Sequence, residues 1–284
     1  MKNFSLLFRW SWRDLRANWA KVAAIALIIA IGTGGYAGLT SQANWRRASY
    51  EASYENLAMH DVRVKLATGS AIAEGTLTTA AATIEHADWI EAADERLIIA
   101  TQVDASRNDE TILVRGEITG VDLSNGGPDV DRFYPSTGRL LGAADGGASL
   151  VMLERHFGTF YNLPAAGSIT IAGNRPLEYV GQALTPEYFA VSPEGDILMS
   201  EATFAAMFTS LETAQDLAGL PQQVNDLVMT LTGDADRAVV VAELEAAMEQ
   251  LAVGTTVLTR DDNLAYSALT NDVENDQQMF NLLA

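Results

Sequence analysis

The sequence predicts an α+β protein: an N-terminal transmembrane helix followed by an exported, mixed α/β domain. Three observations predict it. Residues 1–21 carry Lys2, Arg9, Arg13, Arg16 and Lys21 against one acid, Asp14. Val22 to Trp45 then holds no charged residue over 24 positions. Beyond Arg47 the chain is strongly acidic, and apolar periods of two and of 3.6 residues alternate along it, as expected where strands and helices share one core.

The charge divides sharply. Residues 1–47 hold seven Lys/Arg and one acid, a net of +6, and residues 48–284 hold eleven Lys/Arg and 36 acids, a net of -25. A phosphate backbone needs a basic face, so the acidic bulk argues against nucleic-acid binding. Hydrophobic residues make up 48% of the chain, the content of a folded domain rather than an acidic tail. There is no cysteine, which excludes disulfides, thiolate catalysis and cysteine-based zinc sites.

Val22–Leu39 reads VAAIALIIAIGTGGYAGL. About 20 apolar residues cross about 30 Å of hydrocarbon. The basic cluster precedes the run, which places residues 1–21 in the cytoplasm and the bulk of 46–272 outside it, at the cell (inner) membrane. Arg46 and Arg47 lie on the far side but are outnumbered. A cleaved signal peptide is the rival reading, since Ser41-Gln42-Ala43 resembles a cleavage site. The long basic region and long apolar run favour a retained helix. Gly32-Thr33-Gly34 has no βαβ context and does not make a nucleotide fingerprint. Gly34 and Gly38 form a small-xxx-small pair suited to a second membrane helix. Residues 1–21 are amphipathic: Phe4, Phe8, Trp12, Leu15 and Trp19 recur at helical spacing, with Arg9, Arg13 and Arg16 on another face. They predict a helix along the membrane surface, turning into the span near Lys21.

In the exported part, Gln42–Ala58 continues as helix, Asp61–Leu66 alternates as a strand, and Leu77–Ile84 reads as helix. Arg96–Asp104 and Thr111–Thr119 read as a hairpin joined through Ser106–Glu110, and Val121–Gly147 as loop. Leu150–Leu153, Ser168–Ala172, Leu177–Leu184, Ile197–Met199, Val224–Leu231 and Thr255–Leu258 read as strands. Arg155–Tyr161, Glu201–Phe208 (capped by Ser200) and Asp234–Leu251 read as helices, the last with Val240, Leu244, Ala247, Met248 and Leu251 on one face.

Motifs that carry chemistry are missing. The sequence has no Walker-type loop, no HExxH and no GxSxG. His60, His86 and His156 lack ligand spacing and read as surface or cap residues. Asp234-Ala235-Asp236 and Asp261-Asp262-Asn263 resemble calcium-loop fragments but lack the Gly and Glu that complete one, and read instead as helix starts. No catalytic, cofactor-binding or metal residue is nominated, and a non-enzymatic role is expected. From Met279 the chain turns apolar through Phe280, Leu282, Leu283 and Ala284, which predicts the start of a second span at 273–284.

This order of parts resembles the permease subunits of ABC transporters of the macrolide-exporter, lipoprotein-release and FtsX type, with a MacB-like periplasmic core domain. Arg13-Asp14-Leu15-Arg16 resembles the family's opening "rDLrr". Leu113–Asp122 resembles its strand into "l-x-G-v-d", and Gly138-Arg139-Leu140-Leu141 its "GR-x-p/l", followed by Val151–Glu154. Leu163–Thr170 resembles "l-x-x-G-d-x-v-x-l", with Ser168 in place of the usual Asp, and Tyr179-Val180-Gly181 resembles "V-v-G". Gly138 and Gly167 are expected to be turn positions with positive φ. The resemblance implies a permease homo- or heterodimer in the lipid bilayer, a cytoplasmic ABC ATPase partner, no cofactor of its own, and transmission of mechanical work. It assigns no catalytic residue. The alternatives are a single-span anchored binding or scaffold protein and an exported hydrolase.

Overall fold

The computed structural model describes residues 3–107, 110–190 and 201–272. The chain forms two units, one of Met1–Tyr50 with Thr270–Ala284 and one of Glu51–Leu269.

The first unit is helical. Helix α1 (Asn3–Ala17) and helix α2 (Trp19–Asn56) are separated at Asn18. The Asn18 side chain donates to Asp14 Oδ1 at 3.2 Å. The break therefore falls three residues before the turn expected at Lys21, because a short amide competes for local backbone and side-chain partners. Trp19–Gly38 is long and apolar enough to cross a membrane. Ile25, Leu27, Ile28, Ile29 and Ile31 are all exposed, so apolar side chains face outward around this stretch. Arg46 pairs with Asp272 in the same unit.

The second unit is built on twelve strands and four helices among the described residues. In chain order these are β1 (Val62–Leu66), β2 (Ile72–Ala73), α3 (Thr76–Ala81), β3 (Ile90–Asp104), β4 (Leu113–Val121), β5 (Tyr134–Gly138), β6 (Leu150–Glu154), α4 (Arg155–Phe160), β7 (Gly167–Ile171), β8 (Arg175–Leu184), β9 (Phe204–Ser210), α5 (Leu211–Ala218), β10 (Gln223–Val224), β11 (Asp226–Leu231), α6 (Arg237–Met248) and β12 (Thr255–Thr259). The large sheet runs β12-β1-β11-β3-β4-β9-β6-β8-β5, with β7 against β3 and β8, and β10 pairs with β2 apart from it. Pairs β4·β9 and β6·β8 are parallel, and the other pairs are antiparallel.

Strand β3 joins the two halves of this domain. Its 15 residues are enough to pair with β11 from Ile90 to Arg96 and with β4 from Leu97 to Asp104. One half packs Val62, Val64, Leu227 and Met229 under α3 and α6, where Val240, Leu244 and Met248 are fully buried. Each of these side chains contributes about 1.5–3 kcal/mol by burial. Asp236 caps α6 by accepting from Ala238 N–H.

The other half is buried on both faces of its sheet. In β9, Ala205 and Met207 enter one core, while Phe204, Ala206 and Phe208 enter another. This corrects the reading of Glu201–Phe208 as a helix. A strand covered on both sides shows a continuous apolar run, and an alanine-rich run of that kind imitates a buried helix. Residues expected to form a loop at Val121–Gly147 include strand β5, which pairs with β8. Gly138 has φ of 71°, as expected, and a Cβ there would lie 2.5 Å from the Val180 carbonyl oxygen. Gly167 differs: it is absent from the positive-φ glycines, and a Cβ would meet the Tyr179 hydroxyl at 2.6 Å. Close packing, not backbone handedness, requires glycine there. Ile197–Met199, the Ser200 cap and the second span expected at 273–284 lie outside the described residues.

Candidate functional site

Where β1, β11 and β3 lie side by side, their register places charge inside the domain. Asp226 of β11 sits opposite Lys65 of β1 and opposite Arg96 of β3. Arg63, two residues before Lys65, shares that face and reaches Asp226 on the diagonal. Val62 and Val64 occupy the opposite face, in the core.

Three carboxylates converge on two guanidinium groups. Arg96 donates to Asp226 at 2.9 Å, to Asp131 at 3.2 Å and to both oxygens of Glu187 at 2.7 and 3.1 Å. Arg63 Nε donates to Asp226 at 2.6 Å, and Arg63 Nη1 lies 3.7 Å from Glu187. The His60 ring meets Asp131 at 2.8 Å, and its backbone N–H donates to the other oxygen at 3.1 Å. Asp131 is held in the left-handed region, with φ of 54°. Its N–H donates to the Ala58 carbonyl, which ties the chain following α2 to this loop. Glu187 comes from a 3-10 turn, Pro186–Tyr188, set by the proline at its start.

The electrostatics close on themselves. Burial works against ionising Glu187, yet Arg96 and Arg63 overcome it and hold its pKa at about 2. Burial likewise opposes charge on Asp226, and Arg63 with Arg96 keeps it below the usual carboxylate range. Burial would lower Arg63 and Arg96, but the facing carboxylates hold both above the ordinary arginine value. Such a cluster is costly to desolvate and still more costly to break, because removing one member strands buried charge.

His60, Asp131 and Glu187 place one potential ligand atom each within 4.8 Å of one another. Their arrangement is poorly suited to a metal. The Arg96 guanidinium already bonds both carboxylates, so a cation would have to enter beside a fixed positive charge and displace those bonds. A cavity of about 80 Å³ adjoins the cluster, lined by His60, Arg63, Glu187, Glu117, Tyr188 and Asp262 among others. Burial and the adjacent Glu117 push the Tyr188 hydroxyl well above its ordinary pKa, and it donates to Glu117 at 2.7 Å. A general acid near neutrality needs a pKa near neutrality. Glu187 is held far below that range and Tyr188 far above it. The arrangement is chemically suited to fixing geometry across the β3 junction.

The histidines separate under structure. His60 was expected at the surface or at a cap, and it is instead 2% exposed inside the cluster. His156 does sit at a helix start, where Glu154 caps α4. The hydrogen bond that the His156 ring donates to the Glu154 carboxylate raises the His156 pKa. His86 is partly buried, bonds Glu243 at 2.6 Å and packs on Trp89. Asp262 bonds the Thr259 N–H, and Asn263 accepts from Tyr266 N–H at the start of the helical stretch 264–272. Sequence reasoning missed the ionic cluster. Its members lie 35 to 163 positions apart along the bonded pairs, and no local spacing marks them.

No family model and no curated protein matches the chain. Among solved structures, it is similar to the periplasmic region of MacB from Actinobacillus actinomycetemcomitans, with 10% identity and a TM-score of 0.46, over 78% of this chain and 96% of that one. It is also similar to the extracellular domain of the noncanonic ABC-type transporter YknZ from Gram-positive bacteria, with 10% identity and a TM-score of 0.45, over 70% of this chain and 99% of that one.

Proposed function

We propose that the chain is a permease-associated membrane component of an ABC transporter. In this reading residues 1–21 are cytoplasmic, 22–45 span the membrane, 46–272 form an extracytoplasmic domain and 273–284 begin a second span. A cytoplasmic ABC ATPase hydrolyses ATP, and α2 carries the resulting movement towards the domain. The permease acts as a homo- or heterodimer, with Gly34 and Gly38 at a helix contact. The observation that carries the reading is the exposed apolar run of Trp19–Gly38, preceded by a basic flank and followed by an acidic folded domain. The quoted sequence motifs support the choice of transporter class.

The absence of cysteine makes the topology directly testable. Ser5→Cys and Ser267→Cys variants are treated on intact cells with a membrane-impermeant maleimide. Ser267→Cys is expected to label at once, and Ser5→Cys only after permeabilisation. The reverse pattern overturns the topology. The coupling is tested separately by inserting a flexible Gly/Ser stretch near Ser49. ATPase activity should persist while transport falls, and unchanged transport removes the mechanical role assigned to α2.

A further inference from the structure

The break at Asn18 leaves α1 as a separate helix whose residues fall into ordered stripes. At about 100° per residue, positions Phe4, Phe8, Trp12 and Leu15 share a sector about 80° wide. Positions Arg9, Arg13 and Arg16 share a sector about 60° wide that begins about 40° beyond Trp12. Asp14, the only acid in residues 1–50, lies well outside both sectors. Trp12 and Leu15 are 54% and 49% exposed, and Arg13 and Arg16 are exposed beside them. The Arg16 guanidinium sits 5.8 Å from the centre of the Trp12 ring, so the two stripes meet there.

An apolar stripe flanked on one side by three arginines can satisfy both needs at once only at a boundary. The rings enter the edge of the acyl region while the guanidinium groups remain among phosphates. The apolar run of α2 begins at Trp19, two residues after α1 ends, so on the spanning reading the C-terminal end of α1 is held at the bilayer surface. Charge complementarity then selects the lipid. We propose that α1 lies on the cytoplasmic leaflet and reads anionic lipid headgroups through Arg9, Arg13 and Arg16. The proposal rests on the membrane-spanning reading of α2. Each arginine at an anionic surface is worth about fivefold in partitioning, so two of them account for about 25-fold.

The experiment uses the full chain in nanodiscs of phosphatidylcholine alone or with about a third phosphatidylglycerol. The cysteine-free background allows a single environment-sensitive dye at Ser11→Cys, near the apolar stripe, or at Ala17→Cys, opposite it. The Ser11 dye is expected to shift to the blue and to resist a neutral aqueous quencher severalfold better in the anionic discs. The Ala17 dye should stay wet in both. Adding R13Q and R16Q should cut the lipid dependence to the part left by Arg9 without changing the circular dichroism of the domain. Equal shielding of Ser11 in both lipids overturns the proposal, because the stripe then binds without reading charge. A Ser11 dye that stays wet in both also overturns it and assigns the face to a protein partner. A chain that does not enter discs at all removes the spanning reading as well, which distinguishes that failure from the others.

Discussion

Helix α2 and strand β9 are both rich in apolar side chains, and they meet opposite ends. The isoleucines and leucine of α2 between Ile25 and Ile31 are about 58–70% exposed. Every residue of β9, from Phe204 to Ser210, is buried. The difference is one of geometry. A strand has two faces, and β9 finds a core on each, between β4 and β6. A helix that is apolar all round satisfies its backbone internally and leaves apolar side chains on every side. On the spanning reading it keeps that surface in a solvent that is itself apolar.

Charge placed on each element breaks the comparison most directly. Met207→Asp puts an unpaired carboxylate in a closed core and should cost about 4 kcal/mol or more of domain stability, read from urea unfolding. Ile28→Asp should leave that transition in place. On the spanning reading it should instead cost about 3 kcal/mol of membrane insertion, read as loss of the chain from the membrane fraction. An equal loss of domain stability in both variants would show that α2 is packed like β9.

The ionic cluster sharpens the contrast, since there the strand register brings opposite charges together in the interior. Arg96→Met removes a charged partner from each of Asp226, Asp131 and Glu187 and should cost about 3 kcal/mol in the same assay. Acid should attack the same groups. The folded-state pKa values of Glu187 and Asp226 are depressed, so their contribution is present above the unfolded values of about 4 and is lost as pH falls towards 2. The urea midpoint should therefore drop between about pH 4 and pH 2, and this drop should shrink in Arg96→Met. A smaller effect is expected from Gly167→Ala, about 1–2 kcal/mol, because the new methyl meets the Tyr179 ring. The smallest is Arg139→Ala. It breaks a pair with Asp145 in which the arginine is half exposed, and the midpoint should move by less than about 0.5 kcal/mol.

Local signals carried much of the fold. The alternation of Asp61–Leu66 became β1, the spacing of Val240, Leu244 and Met248 became the buried face of α6, and Asp236 capped it. The hairpin across Ser106–Glu110 became β3 and β4. Helix α5 was missed although its ends are marked, with Ser210 accepting from Thr213 N–H at the start and Gly219 at φ 68° at the finish. Its buried face includes Thr213 and Gln215 alongside Ala214, and its eight residues are too few to establish a period. The candidate site was not legible. Arg63 and Lys65 look like the polar side of an ordinary half-exposed strand, and nothing along the chain announces that Asp226, Asp131 and Glu187 will arrive beside them.

By itself the sequence determined the separation of an apolar helical unit from an acidic α+β domain, because net charge and hydrophobic period are properties of short segments. It also determined most strand and helix positions, through caps, turns and alternation acting over a few residues. Only the tertiary structure decided that β9 is a strand, that β3 joins two half-sheets, and that His60, Arg63, Arg96, Asp131, Glu187 and Asp226 form one buried network. Those outcomes depend on which distant segments cover a face or neutralise a charge, and pairing energies between residues 35 to 163 positions apart leave no periodic trace in the chain.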